Sequence, residues 1–416
     1  MLKKMTDLST EIKQYLVVTA NYWAFTLTDG ALRMLVVLHF HQLGYGPLRI
    51  AALFLFYELF GVVTNLLGGY LGARIGLNRT MNIGLALQVL ALLMLAAPSA
   101  MLTMYWVVGA QALSGIAKDL NKLSAKSAIK MLVPGDKQQQ LFKWVALLTG
   151  SKNALKGVGF FLGGALLVVC GFQGSVIIMA AVLGMVWLAS LILLKKDLGK
   201  TKNKPKFSEI FSKSYAVNIL SAARLFLFAA RDVWFVVALP VYLSSQLGWS
   251  FWWVGSFFAG WIIGYGILQS LAPTIIKNIN VIVDGEAKRF MLDGHVALCW
   301  AILLAVVTAG LALALQNDLP AASVLIVGLT LFAAVFAINS SLHSFLIVSY
   351  AKSDGASLDI GFYYTANAMG RLVGTLLSGW IYQSLGLVAC LWTSALFIVV
   401  AALITTSLPR KILPDH

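Results

Sequence analysis

Long apolar stretches recur from about residue 15 to residue 408, separated only by short polar breaks. A helix needs roughly 20 consecutive apolar residues to cross the hydrocarbon core of a bilayer. Composition points the same way: of 416 residues, 60% are hydrophobic and only 11% charged, where a soluble protein carries about a quarter charged. Mean hydropathy is +0.85. The chain is therefore expected to be almost entirely membrane helix, with a lipid bilayer as its surroundings.

Apolar runs and polar breaks place twelve spans. In the first half they lie at about 15–42, 47–74, 80–101, 104–130, 139–170 and 174–194. The second half gives about 214–245, 250–276, 290–316, 320–350, 360–384 and 387–408, with ends good to a few residues. Between the halves, 195–213 is basic, contains Pro205 and reads as a cytoplasmic linker. The predicted domains are an N-terminal six-helix bundle (1–194), that linker (195–213) and a C-terminal six-helix bundle (214–416). The predicted fold class is all-α integral membrane, with two pseudo-symmetric bundles. This organisation resembles that of the major facilitator transporters, whose binding site lies near the midplane between repeats. The stretch GGYLGARIGLNRT (Gly68–Thr80) resembles that family's loop signature through Gly69, Gly72, Arg74, Gly76 and Arg79. The acid expected beside Arg74 is Ala73 here, which sets the usual role of the loop against a plain tight, basic turn.

A formal net charge of +15 suggests nucleic acid until its distribution is read. Lys and Arg gather in alternate loops, as the positive-inside rule requires. One set holds Lys3, Lys4 and Lys13, then Arg74 and Arg79, Lys130 and Lys137, the 195–213 run, Lys277, Lys288 and Arg289, Lys352, and Arg410 with Lys411; the other offers Arg49. The expectation is a multi-pass protein of a bacterial inner membrane with both termini cytoplasmic, no cleavable signal peptide and no nucleic-acid partner. Cys170, Cys299 and Cys390 are isolated in apolar runs, without metal-ligand spacing or a disulfide framework. No nucleophile with a base at usable spacing and no Gly-rich nucleotide loop is present. An enzyme, a cofactor and a metal are accordingly not expected, and a sensor would need an output module that no polar segment could supply.

What remains unusual is charge where lipid should be. An ionisable residue inside a span costs roughly 2.5–3.5 kcal/mol on insertion scales, so each is a functional candidate. The first span carries Asp29 and Arg33, the second Glu58, the fourth Lys118, Asp119, Lys122 and Lys126, and the fifth Lys152 and Lys156. The seventh carries Arg224, Arg231 and Asp232, and the eleventh Arg371. Lys118, Lys122, Lys126 and Lys130 step by four and share one slowly rotating helix face, as do Lys152 and Lys156. Snorkelling accounts for Lys126 and Lys130 near the cytoplasmic end, but not for Lys118, about 15 residues or ~22 Å from the outer start of its span.

Arg33 and Arg231 lie at matching depths in the equivalent first and seventh spans, and Lys152 and Arg371 do so in the fifth and eleventh. Eight deep basic residues (Arg33, Lys118, Lys122, Lys152, Lys156, Arg224, Arg231, Arg371) face four deep acids (Asp29, Glu58, Asp119, Asp232). A bound polyanion is the simplest neutraliser of the excess, and Arg suits bidentate contact with phosphate or arsenate oxygens. The plainer reading keeps Asp29–Arg33 and Asp119–Lys122 as internal salt bridges and gives Arg224 only a helix-packing role. Glu58, Asp29 and Asp232 are the candidates for proton coupling. His39 and His41 read as interfacial, and Trp249, Trp252 and Trp253 as an aromatic belt.

Three segments resemble one family specifically: NYWAFTLTDGALRMLVVLHFHQLG (21–44), AQALSGIAKDLNKLSAKSAIK (110–130) and LTGSKNALKGVGFFLGG (148–164). They are similar to the organoarsenical efflux permeases of the ArsJ family. The resemblance implies efflux of 1-arseno-3-phosphoglycerate, formed when glyceraldehyde-3-phosphate dehydrogenase uses arsenate in place of phosphate. Export then confers arsenate resistance in functional partnership with that cytosolic dehydrogenase, and a monomer is the usual state for the fold. Such a two-headed anion matches the excess basic charge in sign, with Arg33, Arg231 and Arg371 expected around one head and Lys118, Lys122, Lys152 and Lys156 around the other. Pentavalent arsenic calls for cationic donors where trivalent arsenic would call for thiolates. An antiporter of phosphoglycerate or sugar phosphates would use the same cavity and stays open, as does uniport against proton antiport.

Overall fold

The computed structural model describes residues 10–45, 53–132, 138–194, 200, 214–249, 251–277, 280–283, 286–289, 293–317, 319–352 and 355–409. All of the expected linker but Lys200 lies outside the described residues, as do Lys3, Lys4, Arg49, Lys137, Arg410 and Lys411; the side chains of His41, Trp252, Lys277, Lys288 and Arg289 are likewise outside them.

Four single helices come first: α1 (Thr10–Gln42), α2 (Leu55–Ile75), α3 (Leu77–Leu95) and α4 (Met104–Leu132). The next, α5 (Gln138–Leu193), runs for 56 residues. Straight, it would be ~84 Å long at 1.5 Å per residue, far more than the ~30 Å of hydrocarbon. Gly171 divides it, with φ 65° and ψ −179°, a backbone region open essentially to glycine alone. The last helix, α11 (Ala356–Thr405), is divided in the same way at Gly386, with φ 79° and ψ −175°. Between them lie α6 (Tyr215–Phe235), α7 (Ala238–Ser245), α8 (Phe251–Lys277), α9 (Gly294–Gln316) and α10 (Ala321–Tyr350). Counting the two arms of α5 and of α11 separately, and α6 with α7 as one broken span, the described residues hold the twelve expected spans. One short departure from helix follows α8, an antiparallel ribbon of β1 (Asn280–Val283) and β2 (Glu286–Arg289).

Among the described residues, seven helical stretches are long and apolar enough to cross a membrane by length and composition. The three long helices outside that group, α1, α2 and α4, are the ones that carry Asp29, Arg33, Glu58 and the lysine series. Their polarity is a departure from what lipid alone would select.

The chain packs as two compact units. The first comprises Met1–Leu141, Ser151–Ser212 and Ala351–Thr365, the second Phe142–Gly150, Lys213–Tyr350 and Ala366–His416. In the first, small residues let backbones touch, the usual device where lipid removes any hydrophobic drive between helices. A Cβ on Gly30 of α1 would lie 2.8 Å from the Lys156 carbonyl oxygen, and one on Gly159 of α5 2.6 Å from that of Leu27. Interhelical hydrogen bonds add to this: Asn21 donates to Ser190 Oγ at 2.9 Å, and Ser190 to Asn82 Oδ1 at 2.6 Å. The Gly68–Thr80 stretch has a packing reason as well. Gly68 faces Leu120 and Leu123 of α4, Gly69 accepts from Ser357 Oγ at 2.8 Å, and Gly76 joins α2 to α3 at φ 99°.

The second unit is centred on aromatic rings. Trp234 meets Phe332 edge-on at 5.0 Å and Trp261 at 6.2 Å, while Trp261 stacks on Tyr265 at 5.6 Å. A Cβ on Gly374 of α11 would lie 2.7 Å from the Ala229 carbonyl oxygen of α6. With Gly370 against Leu225, this close approach lets the Arg371 turn of α11 lie against α6 beside Asp232.

Candidate anion sites in the two units

In the first unit the cations gather around two tyrosine rings. Arg33, three residues beyond the Gly30 contact, projects towards α2. Its Nη2 donates to Glu58 Oε1 at 3.0 Å, and its guanidinium carbon lies 4.7 Å from the centre of the Tyr57 ring. Its Nε is buried without a hydrogen-bond partner. Lys118 comes to the same ring from α4, with Nζ 3.8 Å from its centre. The nearest acid oxygens to that ammonium are Glu58 Oε2 at 3.8 Å and Asp119 Oδ2 at 4.0 Å, both beyond hydrogen-bond distance. Lys118 is nonetheless only 16% exposed. An ammonium has three donors and is expensive to bury without acceptors, so this one is placed for an acceptor that no carboxylate among the described residues supplies at hydrogen-bond distance.

The Tyr57 hydroxyl donates to Asp29 Oδ1 at 2.6 Å. Asp29 is thus engaged by α2, and the expected Asp29–Arg33 pair along α1 is replaced by Arg33–Glu58 across helices. Asp119 and Lys122 do pair along α4, with Nζ and Oδ1 2.5 Å apart. Beyond them Lys122 and Lys126 lie 4.7 and 5.0 Å from the centre of the Tyr364 ring, contributed by the first turns of α11. Lys126 is 4% exposed, which corrects its assignment as a snorkelling, interfacial residue: the Tyr364 segment covers it. Lys152 and Lys156 are held differently. Lys152 donates to Asn153 Oδ1 at 3.3 Å and Lys156 lies 6.0 Å from the Phe160 ring centre.

The second unit repeats the pattern of one acid between two cations. Asp232 on α6 is 0% exposed; its Oδ1 accepts from Arg231 Nε at 2.6 Å and its Oδ2 from Arg371 Nε at 3.2 Å. The Arg231 guanidinium also lies over Phe228, at 4.8 Å, and Phe235, at 5.6 Å, contacts worth roughly 0.5–2 kcal/mol each. Arg224 is buried deeper and bound to its own protein, donating to Asn367 Oδ1 at 2.9 Å and to Ser340 Oγ at 3.1 Å.

Several of these partners carry no charge and were not singled out by a search for ionisable residues. Tyr57, Tyr364 and Asn367 are three. A fourth is the run Asn339-Ser340-Ser341-Leu342-His343-Ser344 of α10, which is buried throughout and in which His343 Nδ1 has no hydrogen-bond partner. Polar residues this dense in the middle of an apolar span were the available signal. Within the first unit Glu58 joins Arg33, expected at one head of the anion, to Lys118, expected at the other.

Set beside known proteins, the chain has no match among those of curated function. Several solved structures share its fold. The human organic anion transporter TETRAN is 14% identical, with a TM-score of 0.75 over 96% of this chain and 100% of that one. The fucose:proton symporter of E. coli is 11% identical, with a TM-score of 0.73 over 97% and 100%. A bacterial homologue of the iron transporter ferroportin in an outward-facing state gives 13% and 0.71 over 96% and 99%. At such identities the likeness is one of fold. Residues 15–283 match the sequence model described as Major Facilitator Superfamily, and on that match, over a chain of twelve spans with charged groups held inside its helices, this protein belongs to the major facilitator superfamily.

Proposed function

We propose that this transporter exports 1-arseno-3-phosphoglycerate from the bacterial cytoplasm and so confers arsenate resistance together with glyceraldehyde-3-phosphate dehydrogenase. Membership of the superfamily makes it a carrier of small molecules by alternating access rather than an enzyme. The observation that carries an anionic substrate is Lys118, an ammonium 16% exposed whose nearest carboxylate oxygens are 3.8 and 4.0 Å away. Charge balance supports it. In the first unit Arg33, Lys118, Lys122, Lys126, Lys152 and Lys156 outnumber Asp29, Glu58 and Asp119, and in the second Arg224, Arg231 and Arg371 outnumber Asp232. Of these, Arg33, Lys118, Lys122 and Lys126 are proposed as the anion-holding group of the first unit, and Arg231 and Arg371 as that of the second. Arg224, saturated by Asn367 and Ser340, positions α6, α10 and α11.

The particular anion rests on the resemblance of 21–44, 110–130 and 148–164 to the organoarsenical permeases. A membrane potential negative inside drives an anion outward, worth about 2.3 kcal/mol per charge per 100 mV, so export is downhill electrically as well as down a gradient maintained by synthesis. The proposed setting is an inner membrane, with both termini cytoplasmic and the protein a monomer. The test uses arsenate-sensitive bacterial cells expressing this chain with and without a glyceraldehyde-3-phosphate dehydrogenase, scored for arsenate resistance and intracellular arsenic. Resistance requiring both proteins is the expected result. No protection, with the protein confirmed in the membrane, refutes the arsenical and leaves an organophosphate antiporter using the same basic residues.

A further inference from the structure

Among the described residues Asp232 and Glu58 each lie between two cations, as Asp119 does between Lys118 and Lys122, and the structure treats Asp232 and Glu58 differently. Asp232 is fully buried on a short side chain, with one oxygen 2.6 Å from Arg231 Nε and the other 3.2 Å from Arg371 Nε. It holds both guanidiniums in place. Glu58 is 29% exposed on a longer side chain, with one oxygen 3.0 Å from Arg33 Nη2 and the other 3.8 Å from Lys118 Nζ. Of the two ion pairs, only that with Arg33 reaches hydrogen-bond distance. The groups around Glu58 include Arg33 and Asp29 from α1, Tyr57 from its own helix, and Lys118 and Asp119 from α4. Asp29 is engaged by the Tyr57 hydroxyl, and Asp119 by Lys122. Glu58 is therefore the partly exposed acid of this cluster, where Asp29 and Asp119 are buried, and its carboxylate stands where an oxyanion would stand, with one oxygen towards each cation.

We propose that Glu58 is a tethered counter-anion, displaced from Arg33 and Lys118 by the substrate anion and taking up one proton as it leaves them. The inference rests on the anionic-substrate reading above and adds to it a coupling residue and a sign. A phosphate-type oxyanion brings more charge and more acceptor oxygens than one carboxylate, and it can come within hydrogen-bond distance of Lys118, where Glu58 does not. Once displaced, the carboxylate lies beside the bound anion without its cations, where ionisation is opposed by like charge and by partial burial. The proton comes from water and neutralises the carboxylate; no other bond is made or broken. Anion and proton thus bind together, and the charge carried with the substrate is one less negative than the substrate's own. Asp232, fixed by two short contacts, takes no part in the exchange.

The probe is 3-phosphoglycerate added to the purified full-length protein in detergent. Affinity is measured between pH 6 and pH 8, and proton uptake by calorimetry in two buffers of different ionisation enthalpy. The wild type is compared with Glu58→Gln, so that protonation of the ligand's own phosphate cancels. The wild type should take up about one proton more per bound anion than the variant. Its affinity should gain up to about tenfold more per unit fall in pH. Glu58→Gln should bind at least as tightly as wild type at pH 8, since its competitor has lost its charge. Equal proton counts, or weaker binding by the variant at pH 8, would overturn the role of Glu58 while leaving the anion site standing. Should the variant not fold, a wild type that takes up no proton beyond that of the free ligand overturns it equally. Failure of both proteins to bind at any pH removes the anion-site reading and this inference with it.

Discussion

Replacement of Asp232 by Asn keeps the shape of the side chain and removes the charge on which Arg231 and Arg371 both depend. The carboxylate is fully buried, and the two arginine side chains are 15% and 29% exposed. Removing one partner from a buried ionic group costs about 3–5 kcal/mol, because the other is left uncompensated. Three circumstances put this case at the lower end. The guanidiniums are partly solvated, Arg231 keeps the faces of Phe228 and Phe235, and Asn still offers one carbonyl oxygen. About 3 kcal/mol is therefore expected, read as a lowered melting midpoint of the detergent-purified protein. The informative part is what an added anion does. In the variant the two guanidiniums have lost their shared anionic acceptor, so 3-phosphoglycerate should raise the melting midpoint more than it does in wild type. A ligand at 100 times its dissociation constant contributes about 2.7 kcal/mol, enough to recover most of the loss. An unchanged midpoint would refute the claim that Asp232 sets the two arginines. A lowered midpoint with no greater response to anion than wild type would refute the claim that they are available to a ligand.

Other outcomes follow from the same geometry. Lys118→Gln should abolish 3-phosphoglycerate binding and arsenate export at normal membrane expression, and wild-type transport in it would contradict the anion site. Arg371→Lys retains charge but loses the planar fork, so export should fail if the contact is bidentate and survive if charge alone suffices. Arg224→Gln should lower the melting midpoint, by about 1.5–3 kcal/mol for hydrogen bonds made by a charged donor, while the folded fraction still binds anion at wild-type affinity. Gly159→Leu places a side chain where even a Cβ lies 2.6 Å from a backbone oxygen of α1; it should prevent accumulation of folded protein, visible as loss of the monodisperse peak in gel filtration.

The twelve spans were legible because they depend on distance along the chain. Hydrocarbon thickness fixes span length, and helical rise converts residue number into depth. Partners were less legible because they depend on which helices touch. Asp29 and Arg33 are neighbours along α1, yet Arg33 turns to Glu58, twenty-five positions on in sequence. Asp119 and Lys122 do meet, since in their case the helix alone suffices. Lys126 looked interfacial from its place near the end of a span, but the first turns of α11, more than 200 residues later, bring Tyr364 over it. The buried polar run of α10 carries no formal charge and so left no mark on a count of ionisable residues. The glycines of α1, α5 and α11 explain why the charged turns meet at all, and their role is visible only once the opposing carbonyl is known.

Gly171 and Gly386 bear on how force passes through the protein. A connection of several residues acts as a slack tether and lets the two helices that it joins slide and rotate independently. One residue in a conformation reserved to glycine has no slack, so each arm of α5 and of α11 is mechanically tied to its mate at the turn. Pulling on one arm pulls on the other. Mechanical unfolding should therefore extract these helices in pairs, with each pair leaving the bilayer in a single rupture event.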